Sequence, residues 1–445
     1  MPVIKYNGFC GPTYSGRSIS ISPDRCINLY PELVESGTGK NQFSLIGTPG
    51  LRAIAQTGKA EPIRGICTKG GRVLIAGAKH LYELNRNMST TELGEIAPDP
   101  QFGGLAPVTF AFNGSQYCIS SGGRGYLLTG GALSEIAAIA IDQVVFLDGY
   151  FVALSLTEKK VYLSGLYDGA SWDPLDFKMK ESAPDRPNAI IADHGELWVF
   201  GEETAEVWYN SGNADFPFDR APGGRLEHGC AAPWSPAKLD NSVFWVGNDE
   251  RGNRVVWRAD GYQARRISTH AIEHRLNLIS PRAAGGSVMD STTTFAVGWA
   301  YQEEGHSFYC LLFPNAMRDM SRSVKDYSNP TMFVYDCATG MWHERAWWNT
   351  ALGRYEPPRQ RCHGYMWDHH LVGDRDNGKI YEQHLDYYDD AGGPIRRERT
   401  GPSLSLNTKT MFFNSFILDM DVAVGLGKID SDLYGKDQFG GEYRP

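Results

Sequence analysis

Residues 195–220 read GELWVFGEETAEVWYNSGNADFPFDR. Their reading as a β-hairpin with its exit loop decides the fold. Leu197-Trp198-Val199-Phe200 is an apolar, aromatic-rich strand, and Gly201-Glu202-Glu203-Thr204 is a polar turn. The chain returns from Ala205 to Tyr209, where Val207, Trp208 and Tyr209 supply β-favouring bulk. Asn210-Ser211-Gly212-Asn213 ends the unit with residues that tolerate turn geometry.

Weaker copies of this unit recur. Residues 72–76 (RVLIA) lead to 80–84 (HLYEL), 116–120 (QYCIS) to 126–128, and 150–154 (YFVAL) to 160–164 (KVYLS). Residues 242–246 (SVFWV) lead to 254–258 (RVVWR), 294–300 to 307–313, 331–335 (TMFVY) to 341–343, and 370–373 to 379–383. The clearest starts, near 72, 116, 150, 196 and 242, are 34 to 46 residues apart. That is the period of a β-propeller blade, a four-stranded sheet packed face to face on the next. The spacing predicts an all-β, propeller-like body of about six hairpin or blade units over residues 56–400. One short helix is expected at 270–279 (HAIEHRLNLI), and 315–330 reads as a loop.

The ends read differently. Residues 1–55 carry short strand-like pieces at 18–21, 26–32 and 45–51 around a polar stretch at 35–42, and read as an extended N-terminal arm. Residues 401–445 form a C-terminal strand segment, apolar at 411–420 (MFFNSFILDM), and then a Gly-rich charged tail that needs a partner to order it.

Composition agrees. A chain of 445 residues would ordinarily make two or three domains, but repeat folds close long chains into one body. Its 50 Gly and 24 Pro are dispersed between apolar runs, and aromatics reach 12%, which favours an all-β class. The net charge is −9, and the only basic run is Arg396-Arg397-Glu398-Arg399. A protein that grips nucleic acid through phosphates needs a basic face, and none is visible beyond that run; an acidic surface could instead let DNA pass without sticking. The eight cysteines include no CxxC pair, which argues against a zinc ribbon and for reduced thiols. No signal peptide or apolar span of about eighteen residues is visible, so a soluble chain made in a cytoplasm without a membrane segment is expected.

Four constellations could carry chemistry. His270-Ala271-Ile272-Glu273-His274 fits H-x-x-E-H, which on a helix sets two His one turn apart for zinc. It lacks an evident third ligand, and a surface helix between hairpins is the plainer reading. Gly37-Thr38-Gly39-Lys40 hints at a phosphate loop, but Asn41 stands where Ser or Thr is required. Residues 167–172 (YDGASW) match the Asp-box turn of sialidase-like propellers only at Gly169 and Trp172, and such a turn stabilises a blade and catalyses nothing. Glycosidases need two carboxylates about 5–10 Å apart; Glu202, Glu203, Asp215 and Asp249 all sit in turns, where acidic residues are ordinary. The aromatics of 342–348 read as core or subunit-interface residues rather than sugar platforms. The reading assigns no catalytic, cofactor-binding or metal residue, and no enzyme activity.

One ordered set of motifs goes further: Asn28-Leu29-Tyr30-Pro31-Glu32, Gly47-Thr48-Pro49-Gly50-Leu51, the hairpin 195–209, residues 227–233 (EHGCAAP) and residues 394–399 (PIRRER). Together, over about residues 25 to 420, they resemble the packaged-DNA stabilisation proteins of short-tailed bacteriophages, also described as tail hub or nozzle proteins. The resemblance ends at about Gly425. It implies a structural virion protein of the phage tail, made in the host bacterial cytoplasm. It implies a homohexameric ring below the portal and head-to-tail adaptor that extends the DNA channel and helps retain packaged DNA. It also implies attachment of a tail needle and of tailspike or fibre proteins, with DNA in the lumen bound without sequence specificity. The alternatives are a carbohydrate-binding or carbohydrate-active propeller acting on host glycans, and an HxxEH metalloprotein.

Overall fold

Runs of apolar and aromatic residues, cut by turn-forming residues at blade spacing, fold into antiparallel four-stranded sheets. The computed structural model describes residues 6, 8–18, 22–35, 42–98, 106–279, 296–313, 332–404, 412–413, 415 and 417–420. Five sheets of four consecutive strands follow one another along the chain, and a sixth run of four consecutive strands is the core of a seven-stranded sheet. Blade 1 is Gly65–Cys67, Val73–Ala76, His80–Leu84 and Thr90–Glu95; blade 2 is Thr109–Phe112, Gln116–Ser121, Arg124–Thr129 and Ala132–Ile136. Blade 3 is Gln143–Leu147, Tyr150–Ser155, Lys160–Gly165 and Asp168–Lys178; blade 4 is Pro187–Asp193, Glu196–Gly201, Ala205–Asn210 and Phe218–Leu226. Blade 5 is Ala237–Leu239, Ser242–Asn248, Arg254–Asp260 and Gln263–Arg266; blade 6 is Val297–Glu303, His306–Leu312, Met332–Asp336 and Met341–Arg345. These are the six blades read from the hairpin spacing. The hairpins at 294–313 and 331–343 are two halves of blade 6.

A further sheet closes the ring from both ends of the chain. Gln360–Met366, His369–Asp374 and Lys379–His384 supply three strands, and Gly50–Gln56 supplies the fourth, with Leu51 opposite Gln383. Its first strand packs between the first strands of blades 6 and 1, which completes the circuit.

The core lies in the seams between blades. In blade 4, Leu197 and Val199 turn toward blade 3, packing with Val152, Leu154 and Leu163. Trp198 and Phe200 turn the other way, onto Val243, Trp245 and Val255 of blade 5. Both faces of the strand are thus buried, so it reads as a continuous apolar run while still obeying the two-residue alternation of a strand. Each fully buried side chain of this size contributes about 1.5–3 kcal/mol.

The helix His270–Ile279 forms as expected but is no surface helix. Its Ile272 and Leu276 are buried against Phe244, Val256 and Tyr309 of blades 5 and 6. No helix among the described residues is long and apolar enough to cross a membrane.

Much of the segment read as an arm is woven into the body. Pro23–Ile27 lies beside the last strand of blade 6, with Ile27 opposite Glu344, and pairs on its other side with Glu398–Thr400. Leu29–Leu33 pairs with Phe43–Gly47. Cys26, Ile27, Tyr30 and Leu51 are all buried. The pieces are short, and long-range edge pairing supplies the hydrogen bonds that a short strand cannot make alone. The strand read at 18–21, the Gly37–Lys40 motif and the loop 315–330 fall wholly or mostly outside the described residues. Of the segment 411–420, residues 412–413, 415 and 417–420 are described; they are exposed and lie in no strand.

Candidate functional site

The sequence candidates for chemistry resolve into structural roles. Glu273 of the H-x-x-E-H pattern is buried. It accepts a hydrogen bond from Arg266 Nε at 2.6 Å and another from Ser268 Oγ at 2.8 Å, while His270 is exposed on the outer face. Its carboxylate is committed to tying the helix to blade 5. Among the described residues, no three His, Cys, Asp or Glu side chains are placed to hold a metal. In the degenerate Asp-box, Trp172 Nε1 donates to Gly169 O at 2.8 Å and Gly169 N donates to Gln116 Oε1 at 2.9 Å, which pins blade 3 to blade 2.

The acidic turn residues lie at the surface or serve their own turns. Glu202, Glu203 and Asp215 are exposed. Asp249 organises its own turn: Oδ1 accepts from Arg251 N at 2.9 Å and Asn253 N at 2.7 Å. Burial alone would raise its carboxyl; the hydrogen bonds from Asn253 and Arg251 outweigh that and hold it below the usual range. It lines a shallow, open depression with His228, Glu250, Arg251 and Asn253. His228 is stacked on Trp257 at 4.0 Å between ring centres, and burial lowers its pKa.

The turn of the hairpin 195–209 is held by a buried ion pair. Lys180, with no side-chain exposure, contacts Asp185 and Thr204. Asp185 Oδ2 accepts from Glu203 N at 3.0 Å and Thr204 N at 2.9 Å. Glu206, buried within the return strand, accepts from Trp208 Nε1 at 2.7 Å and from Glu181 N at 2.9 Å.

Two features stand out as architecture with functional reach. The first is the link from blade 4 to blade 5, residues 227–236. Gly229 N donates to Glu203 O at 2.7 Å and Ala231 N to Val246 O at 2.8 Å, so it leaves blade 4 along the seam. It then reaches across the ring. Gln143, buried in the first strand of blade 3, donates through Nε2 to Pro233 O at 2.9 Å and accepts from Ile190 N at 2.9 Å. The next residue meets blade 6: Gly298 N donates to Trp234 O at 2.8 Å. A Cβ at Gly298 would lie 2.0 Å from Ser235 O, so only glycine admits this approach. Because first strands line the axis, a link from blade 3 to blade 6 bridges the axial opening. A DNA duplex, whose major groove alone is about 12 Å wide, has no passage there.

The second feature is the junction of the chain ends. Arg399 is nearly buried and donates to the carbonyls of Gly8, Phe9, Pro12 and Arg25, and it pairs with Asp24 at 3.2 Å. Asn28, held at φ 55°, donates to Ala346 O at 2.9 Å and Arg396 O at 2.8 Å and accepts from Ala346 N at 2.9 Å. Arg396 lies over Trp348 at 4.1 Å, and Arg359 over Trp347 at 4.3 Å. Trp342 is core, donating to Ile267 O at 2.9 Å. The aromatics of 342–348 therefore divide between core and cation-stacked junction. Residues 8–28 and 396–400 are tied to each other and to blade 6 by two of the motifs that stood out in the sequence.

Comparison with known proteins matches residues 23–387 to the phage-stabilisation family, described as bacteriophage P22 Gp10, beta-propeller. The chain belongs to that family. Membership places it among phage structural proteins of a DNA-stabilisation family. Solved propellers are similar at long range. The WD40 propeller domain of Doa1 is 9% identical at a TM-score of 0.42, covering 76% of this chain and 97% of that one. A catalytically inactive H270A virginiamycin B lyase from Staphylococcus aureus, with quinupristin, is 10% identical at 0.45, covering 75% and 99%. A computationally designed protein, Ika8, is 10% identical at 0.41, covering 75% and 99%. These likenesses are too distant to carry any argument about this member of the phage-stabilisation family. No curated protein matches it.

Proposed function

We propose that this chain is the ring-forming hub, or nozzle, of a short phage tail. Six copies, with DNA in the lumen between them, would extend the channel below the portal and head-to-tail adaptor and help retain the packaged genome. The bridged propeller axis carries this reading. A chain of a DNA-stabilising family whose own axis is crossed by residues 233–234 must let DNA pass beside it, and several copies around a common lumen do that. The net charge of −9 suits a wall along which DNA slides without sticking. A tail needle and tailspike or fibre proteins would attach to the ring's distal and lateral faces.

The test is the assembly itself. Purified chain, alone and mixed with adaptor–portal complex, is sized by mass photometry and imaged in negative stain. A closed ring of six around one central lumen is expected. A chain that stays monomeric in both samples would sink the proposal.

A further inference from the structure

Fifteen large apolar side chains are exposed among the described residues, and ten of them fall into two groups. One group is the last hairpin of blade 3: Leu166 and Tyr167 in its turn, and Leu175 and Met179 on and just after its outer strand. Leu175 is 80% exposed. The other is the end of the chain: Leu404, Phe412, Phe413, Ile417, Leu418 and Met420, with Phe412 88% and Ile417 81% exposed. Scattered exposed leucines mean little, whereas apolar groups concentrated on one hairpin and one terminal segment mark surfaces made to be covered.

The blade 3 edge is an open one. Asp168–Lys178, at 11 residues, is the longest described strand and ends its sheet. Register shifts between Tyr162–Phe177 and Ser164–Trp172 push residues 173–176 out of the ladder, with Leu175 among them. Tyr167 sits at φ 55°, a strained setting for a bulky residue. It is held there by a hydrogen bond from its N–H to Gly149 O at 2.6 Å and another from Asn113 Nδ2 to its carbonyl at 3.1 Å. Two blades thus fix a ring that projects into solvent.

The terminal segment has no seat on its own body. The chain is locked at Glu398–Thr400 and then leaves, and Phe412, Phe413 and Ile417 touch nothing that buries them. Sixteen residues, the number from 405 to 420, could reach at most roughly 50 Å if drawn out.

We propose that residues 412–420 of each copy lie along the outer edge of blade 3 of a second copy. Donor and acceptor are different surfaces of one chain, so the contact is head-to-tail, the kind that closes into rings. The apolar edge has a partner of matching chemistry, and the exposed terminal segment gains both a ladder and cover. The inference rests on the ring reading above and names the contact that holds the ring.

Three full-length variants test it: Phe412→Ser/Phe413→Ser/Ile417→Ser on the donor, Leu175→Ser/Met179→Ser on the acceptor, and Leu175→Cys/Phe413→Cys for proximity. Either serine variant should weaken self-association at least about 100-fold in mass photometry while the circular dichroism stays that of the wild type. The double-cysteine variant should form disulfide-linked ladders between copies, absent from each single-cysteine control. Wild-type rings together with unchanged rings of the donor variant overturn the proposal. Loss of rings in the donor variant but not the acceptor variant, with no disulfide ladder, overturns blade 3 as the seat. A wild type that never forms rings refutes the ring reading itself, which is a separate result.

Discussion

Arg399→Ala should unlock residues 8–28 from the 396–400 segment. The wild-type side chain is 4% exposed and serves the carbonyls of Gly8, Phe9, Pro12 and Arg25 and the carboxylate of Asp24, itself 16% exposed. A hydrogen bond from a charged group is worth about 1.5–3 kcal/mol, and removing one partner of a buried pair costs about 3–5 kcal/mol. These contributions overlap, because they belong to one network and water re-enters once it opens. A loss of about 3–5 kcal/mol is the reasoned total, and it should act locally before it acts globally. The assay is hydrogen exchange read by mass spectrometry. Cys26 N, bonded to Thr13 Oγ1 at 2.8 Å, and Asn28 N, bonded to Glu344 O at 2.8 Å, report the lock. Their protection should fall by a factor of about 10²–10⁴, while amides of Val73–Ala76 in blade 1 stay protected. Arg399→Lys keeps a charge for Asp24 but not the planar fork, so it should fall between the two. Protection at Cys26 and Asn28 within twofold of the wild type in the alanine variant would refute the reasoning.

Further perturbations separate the other devices. Asp185→Ala strands the buried Lys180 ammonium and should cost about 3–5 kcal/mol in urea unfolding, and Lys180→Met/Asp185→Leu should recover only part of it, because the Glu203 and Thr204 N–H groups still lose their acceptor; equal losses in both would show that the stranded ammonium is not the source of the cost. Gly298→Ala drives a Cβ to 2.0 Å from Ser235 O, and since backbone cannot swing aside, it should cost about 3 kcal/mol or more; a wild-type melt would remove the case for a tight axial bridge. Asp390 is buried, which pushes its carboxyl up to about 7. As pH rises from about 4 to 7 the unfolded chain ionises here while the folded one keeps its proton, so stability falls through that window and levels off above it. Asp390→Asn should remove that slope and be the more stable by roughly 2–4 kcal/mol at pH 8; parallel urea midpoints of the two proteins from pH 5 to 8 would contradict it.

What the sequence showed and what it hid follow from how each interaction is encoded. Blade strands are legible because side chains encode them: Leu197 and Val199 against one neighbour, Trp198 and Phe200 against the other, with glycines and polar residues between strands. The closing strand, GLRAIAQ at 50–56, is hidden because its place depends on ladder hydrogen bonds to a partner near the other end of the chain, and ladders carry no side-chain signature. The junction is half legible. Its motifs stand out, yet nothing in Arg396-Arg397-Glu398-Arg399 tells which arginine is buried. Arg399 holds carbonyls of the N-terminal segment while Arg396 lies on Trp348. The H-x-x-E-H pattern misleads in the opposite direction, since spacing alone cannot reveal that Arg266 already occupies Glu273.

The pairing of Leu51 with Gln383 also has a consequence in time. At about 5–20 residues per second, the early strand leaves the ribosome roughly a quarter of a minute to a minute before its partner is made. Blades 1 to 6 can form in turn, but the circle stays open until the last of them has been followed by residue 384. A copy cut short anywhere before that point leaves an unpaired edge and an open seam beside blade 1. Completeness of synthesis is thereby written into shape, and a particle that selects subunits by shape selects finished ones.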